Sequence, residues 1–137
     1  MAGFGDGKRR LSKKMAAIPK EVRRALRAQN KANASDLMET MKGFVNVQDG
    51  DLVTSIKSKD VSNSRQISQR ITAGGAETTK PVRDGASATY DYALANEFGT
   101  EKMPAQPFFW PAWRLKRRAL KNRMSRAAKK AIEGATR

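Results

Sequence analysis

Three observations predict an α+β fold for this 137-residue chain: a small antiparallel sheet packed with a long N-terminal helix, a short central helix and a C-terminal helix. Apolar residues recur at steps of three and four near both ends. Through the middle they alternate in steps of two, and pairs such as Gly74-Gly75 and Gly50-Asp51 punctuate the change. The length suits one domain with a modest core, read as a flexible N-terminal arm over residues 1–10 and a single domain over 11–137 with basic helical ends.

The arm is assigned because MAGFGDG is rich in Gly. Leu11, Met15, Ile18, Val22 and Leu26 then form a helical face that Pro19 interrupts. Proline fits a first turn better than an interior, so a short helix ends near Ile18 and a longer one starts near Pro19, running through Leu37 and Met41 to Gly43. The run NKANAS, 30–35, is the place where that helix would bend. Gly50 to Ile56 reads as a capped turn entering a strand that reaches Val61, and Ser62-Asn63-Ser64 as a turn. Arg65 to Ala73 alternates, with Ile67, Ile71 and Ala73 on one side, and Gly74-Gly75 ends it.

Residues 76–89 read as an exposed loop or long hairpin, with a strand around Lys80 to Arg83. Asp91 stands in N-cap position, Tyr90, Leu94 and Phe98 share a helical stripe, and Gly99 stops that short helix. Pro104 and Pro107 forbid helix across 100–106. The chain must turn there and gather Met103, Phe108, Phe109, Trp110 and Trp113 into an apolar knot, with Phe98, Phe108, Phe109 and Trp113 expected in the core. A last helix follows Pro111, with Trp113, Leu120, Met124, Ala127, Ala131 and Ile132 on one face.

The net charge is +15 and unevenly spread. Residues 1–47 carry 11 cations against 4 acids, 48–100 carry 6 against 7, and 101–137 carry 11 against 2. Basic ends fit nucleic acid, an anionic membrane surface or acidic protein neighbours. Arg23, Arg24 and Arg27 on the first long helix and Arg117, Arg118 and Lys121 on the last are the candidate partner or DNA contacts.

Catalytic chemistry finds few supports. With no Cys and no His, disulfides, thiolate nucleophiles, zinc-type ligand sets and the commonest general base are all missing. Glu97 is a lone carboxylate beside an aromatic and reads as structural or salt-bridging. Gly74-Gly75 lacks the following Gly-Lys-Ser or Gly-Lys-Thr of a phosphate loop. The expectation is no enzyme, no cofactor and no metal, with neither a signal peptide nor a membrane span.

Tyr92-Ala93, Glu97-Phe98-Gly99-Thr100, Met103-Pro104-Ala105, Gln106-Pro107-Phe108 and Pro111-Ala112 occur in this order after Gly50-Asp51-Leu52. As a set they resemble the signature of a family of small tailed-bacteriophage proteins of the head-to-tail joining region, variously labelled tail component, tail completion, tail terminator or neck protein. The likeness spans roughly Pro19 to Ala131. Trp110, where a charged residue is common in the family, and the density of Arg and Lys in the last helix depart from it. The resemblance implies a non-enzymatic virion subunit with structural residues Tyr92, Glu97, Phe98, Gly99, Thr100, Gln106, Pro107, Phe108 and Pro111. Its implied partners are copies of itself in a hexameric ring, the tail-tube protein, and a head-connector or stopper protein, with assembly in the host cytoplasm. The basic ends are expected to meet acidic surfaces of neighbouring rings in preference to the backbone of packaged DNA, because a strongly cationic channel would hold DNA and oppose its ejection. A head-closure stopper ring of the same neck is one alternative. A DNA-binding protein without sequence readout is the alternative from another class.

Overall fold

The structure is a computed structural model that describes residues 20–46 and 50–135, with 7, 9 and 10. The expected arm, the helix over 11–18 and the break at Pro19 lie outside the described residues, apart from those isolated positions. The fold class is as expected: α+β, with long helices at either end.

Helix α1, Lys20–Phe44, buries Val22, Asn33, Ala34, Leu37 and Met41, a stripe that repeats closely enough to one helical face to press along a partner. It runs unbroken through 30–35, so the expected bend is absent. The reason is tertiary: Asn33, which would otherwise weaken a helix, is buried with its Nδ2 donating to the Leu120 carbonyl at 3.2 Å and its Oδ1 accepting from Gln29 at 3.0 Å. That partner helix is α4, Phe109–Ala135, and the α1–α4 pair is the most extensive contact of the fold.

Gly50–Ser55 is helix α2, and here the expected strand entry is corrected. Leu52, Ser55 and Ile56 are buried at helical spacing, while the Ser55 and Thr54 hydroxyls donate back to the Leu52 and Asp51 carbonyls. Burying one face in a single turn outweighs the β-branched preference of Val53 and Thr54 for a strand. Strand β1, Lys57–Asp60, follows and pairs antiparallel with β2, Gln69–Thr72, with Lys57 opposite Thr72 and Asp60 opposite Gln69. The second strand is shorter than the alternation suggests because Asn63 closes a side-chain turn, its Oδ1 accepting from the backbone of Arg65 and Gln66.

A 3-10 turn at Ala76–Thr78 leads to β3, Thr79–Pro81, which pairs antiparallel with β4, Thr89–Asp91. The sheet expected as one unit is therefore two separate two-stranded ladders. Helix α3, Tyr92–Phe98, starts after the Asp91 cap as anticipated, but Tyr90 belongs to β4. The core unites Leu37, Met41, Val45, Leu52, Ile56, Tyr92, Ala93, Ala95, Phe108, Ala112 and Leu120.

The aromatic knot is also corrected. Phe108 is only 2% exposed and Phe109 half-buried against the core, yet Phe98 is 64% exposed and Trp113 39%. The α3 face that packs inward is Tyr92, Ala93, Ala95, Asn96 and Glu97. The stripe shared by Leu94 and Phe98 therefore points outward. Small Ala93 and Ala95 let α3 sit close to the core, which a stripe of larger side chains would hold off.

Candidate functional site

The segment that carries the sequence signature folds into a buckle between α3 and α4. Helix α4 begins in the run QPFFWP, which has no Ser, Thr, Asp or Asn to accept its first backbone N–H groups. Glu97 supplies the acceptor from another helix. Its Oε2 accepts from the N–H of Phe108 at 2.8 Å and of Phe109 at 2.9 Å, and its Oε1 from Trp110 at 3.0 Å. The next residue, Pro111, has no N–H to satisfy, so one carboxylate completes the cap. A negative charge at a helix N-terminus is also favoured by the macrodipole.

Gly99 makes the return possible. It caps α3 at φ 77°, its N–H donating to the Ala95 carbonyl at 2.7 Å. A Cβ there would lie 2.8 Å from the Ala105 nitrogen and 3.1 Å from the Met103 carbonyl oxygen. Thr100 and Met103 then close on each other, Thr100 N–H to Met103 carbonyl at 2.9 Å, and Gln106 N–H donates to the Asn96 carbonyl at 2.7 Å. Of the signature residues, Glu97, Gly99, Thr100, Gln106, Phe108 and Pro111 thus share this buckle. Tyr92 lies elsewhere in the core with the Lys80 ammonium 4.7 Å from its ring centre, and Phe98 and Pro107 face outward.

Both Glu97 oxygens are engaged by backbone N–H groups and the residue is 8% exposed, so the arrangement is a structural cap and offers no free general acid or base. No group of three or more potential metal-ligating side chains occurs among the described residues. Nor is any described helix long and apolar enough to cross a membrane.

Beside the buckle, a cleft of about 440 Å³ opens between α3, the end of β2 and the start of α4. Leu94, Phe98 and Trp110 rim it, at 63%, 64% and 47% exposed. On the other side of Phe109, a groove of about 430 Å³ runs between α1, β2 and α4 and includes Trp113, Leu120 and Met124. The two hollows share Phe109 and Trp110, and the second is also lined by Arg117 and Lys121.

The six candidate cations divide. Arg23 donates to the carbonyls of Ser64 at 2.9 Å and Asn63 at 2.6 Å, and Arg27 pairs with Asp60 at 2.8 Å, so both tie α1 to the tip of the β1–β2 hairpin. The Ser62 hydroxyl and N–H, with the Arg27 guanidinium, hold the Asp60 carboxyl at about 2. Arg24, Arg117, Arg118 and Lys121 are exposed.

Two acidic groups that sequence reasoning did not single out as organisers are central. Asp36 on α1 accepts from Arg123 at 2.6 Å and Lys116 at 3.2 Å on α4; the Arg123 hydrogen bond is the main cause of its lowered pKa. Eighty or more residues separate the partners, so no local pattern could have found them. Asp91 does more than cap α3: besides Ala93 N–H at 2.9 Å it accepts from the Thr78 hydroxyl at 2.6 Å and Gly75 N–H at 2.9 Å. Burial pushes its carboxyl up, but these three donors together hold it below its ordinary value. Gly74 leaves the room, since a Cβ there would collide with the Asp91 carboxylate.

No protein-family model, no curated protein and no solved structure matches this chain.

Proposed function

We propose that this chain is a non-catalytic structural subunit of the head–tail junction of a tailed bacteriophage, most specifically a terminator or completion ring of six copies that caps the tail tube and joins it to the head connector in the virion. The observation that supports the reading is the apolar rim of Leu94, Phe98 and Trp110, exposed on the very segment whose sequence resembles that family. Contiguous exposed apolar surface of this kind marks an interaction site. Burying each such side chain against a neighbour contributes on the order of 1.5–3 kcal/mol before the entropy of association is subtracted.

The rest of the molecule suits the role. The buckle, fixed by three charge-assisted hydrogen bonds, gives a rigid wall from which the rim projects. A ring needs two different patches that meet head to tail, and a chain with one small core gains stability by burying its remaining apolar surface in copies of itself.

The test is the mass of the purified protein in solution, alone and mixed with the tail-tube protein of the same phage. A ring, or a monomer that becomes one on mixing, supports the terminator. Assembly on the head-connector protein but not on the tube shifts the assignment to the stopper position. A monomer that ignores both overturns the joining role.

A further inference from the structure

The basic character of α4 is divided by the fold into two sets with different uses. Lys116 and Arg123 turn inward and neutralise Asp36 on α1. Arg117, Arg118 and Lys121 are exposed, Arg117 and Lys121 at the edge of the groove between α1, β2 and α4, and no acidic side chain is within ion-pair distance of them among the described residues. Lys121 is a helical neighbour of both Arg117, four residues before it, and Arg118, three before it, and with the helical rise the group covers roughly 6 Å along the axis. Arg114 and Lys129 extend it to roughly 22 Å, both exposed.

We infer that this exposed stripe of α4, centred on Arg117, Arg118 and Lys121, binds the phosphate backbone of duplex nucleic acid without reading its sequence. Charge complementarity argues for a polyanion, because the stretch from residue 101 onward, which contains α4, carries 11 cations against 2 acids. The make-up of the stripe argues for phosphates over an acidic protein. Protein interfaces are anchored by aromatic or apolar side chains in a core depleted of charge. Of the six exposed positions from Arg114 to Lys121, four are cations, against Leu115 and Ala119, a density of charge that the core of a protein interface does not carry. Arg117 and Lys121 also edge the groove that holds Trp113. Phosphate contact needs nothing but positive charge at intervals, and because it carries no base readout it lets protein and duplex slide past each other. The same division removes Arg23 and Arg27 from the candidates, since both already hold the hairpin tip.

The inference extends the ring reading to a partner but is tested on the protein whatever its oligomeric state. A labelled 20-base-pair duplex is titrated with the full chain at salt from 50 to 200 mM, and the binding constant is followed by anisotropy. Three phosphate contacts predict a slope of log K on log salt of at least about −2.7, or a roughly 40-fold loss of affinity over that range. The triple variant Arg117→Ala, Arg118→Ala, Lys121→Ala should lose about 2.7 from the slope, whereas Arg117→Lys, Arg118→Lys, Lys121→Arg should keep it. A control that removes the same charge from exposed positions of α1, Lys20→Ala, Arg24→Ala, Lys31→Ala, should keep most of it too.

Equal losses from the two alanine variants would show that net charge and not the stripe governs binding, and would overturn the assignment. So would poly-L-glutamate of equal charge binding more tightly than the duplex, which would transfer the stripe to an acidic protein. No binding at 50 mM salt also overturns it. None of these outcomes bears on whether the chain closes into a ring, which the mass measurement decides separately.

Discussion

A single carboxylate explains most of the signature segment. Phe108, Phe109 and Trp110 present three backbone N–H groups at the start of α4, Pro111 presents none, and Glu97 takes all three. The spacing of Glu97, Gly99 and Phe108 is thus set by one requirement: a chain leaving α3 must turn back within ten residues and offer its amides to the helix it has just left. Glu97→Gln keeps the shape but replaces one acceptor oxygen by a donor that faces N–H groups. We expect it to cost about 1.5–3 kcal/mol, read as a lower urea midpoint at unchanged m-value. Gly99→Val meets both a left-handed φ of 77° and backbone atoms of Ala105 and Met103. Its expected cost is about 1–3 kcal/mol or more, because backbone neighbours cannot swing aside. A Gly99→Val protein as stable as the parent would remove the steric account of this turn.

Among elements, the decisive relation is between α1 and α4, which are far apart in sequence and pack along each other. Apolar side chains such as Leu37, Met41 and Leu120 supply the attraction, but they would tolerate sliding by a turn. Asp36, held by Arg123 and Lys116, and Asn33, bonded to the Leu120 carbonyl, fix the register. The Asp36 carboxyl is lowered below its ordinary 3.8, first by the Arg123 hydrogen bond. A carboxyl whose folded pKa is depressed contributes stability that is present above the unfolded pKa and is lost as the pH falls through the folded one. The Asp36 contribution is therefore full near neutrality and declines below about pH 3.8. Asp36→Asn should lower stability at pH 7, and its stability should fall less steeply than the parent's on going below pH 4. Parallel acid profiles for the two proteins would show that the clamp adds nothing to folding.

At the scale of the whole molecule, the fold leaves unfilled the surface that the sequence assigns to its core. Leu94 and Phe98 lie on the outer side of α3, and Trp110 leans over the cleft beside them. Substituting exposed side chains costs a monomer little. Phe98→Ser with Trp110→Ser should shift the thermal midpoint of the isolated chain by no more than a few degrees, yet should abolish ring formation on the tail-tube protein. If that double variant assembles as the parent does, the apolar rim is not the subunit contact. Duplex binding through the α4 cations should survive it, since neither substitution removes a positive charge.

The amino-acid sequence by itself determined the element types that local physics governs: the long helices, the Asp91 cap, the Gly99 stop, the half-buried alternation into Ile71 and the turn before Phe108. Each depends on neighbours within a few residues, where periodicity, capping and backbone sterics suffice. Tertiary structure alone decided which faces look inward. It turned GDLVTS into helix by burying Leu52 and Ser55, kept α1 straight through Asn33, and put Phe98 and Trp113 outside while Tyr92, Ala93 and Ala112 went in. It also sorted the cations, since whether an Arg is free depends on an Asp dozens of residues away, as Asp36 and Asp60 show. Hydrophobicity says that a side chain gains by leaving water, but the packing of helix against helix settles which side chains find room to do so.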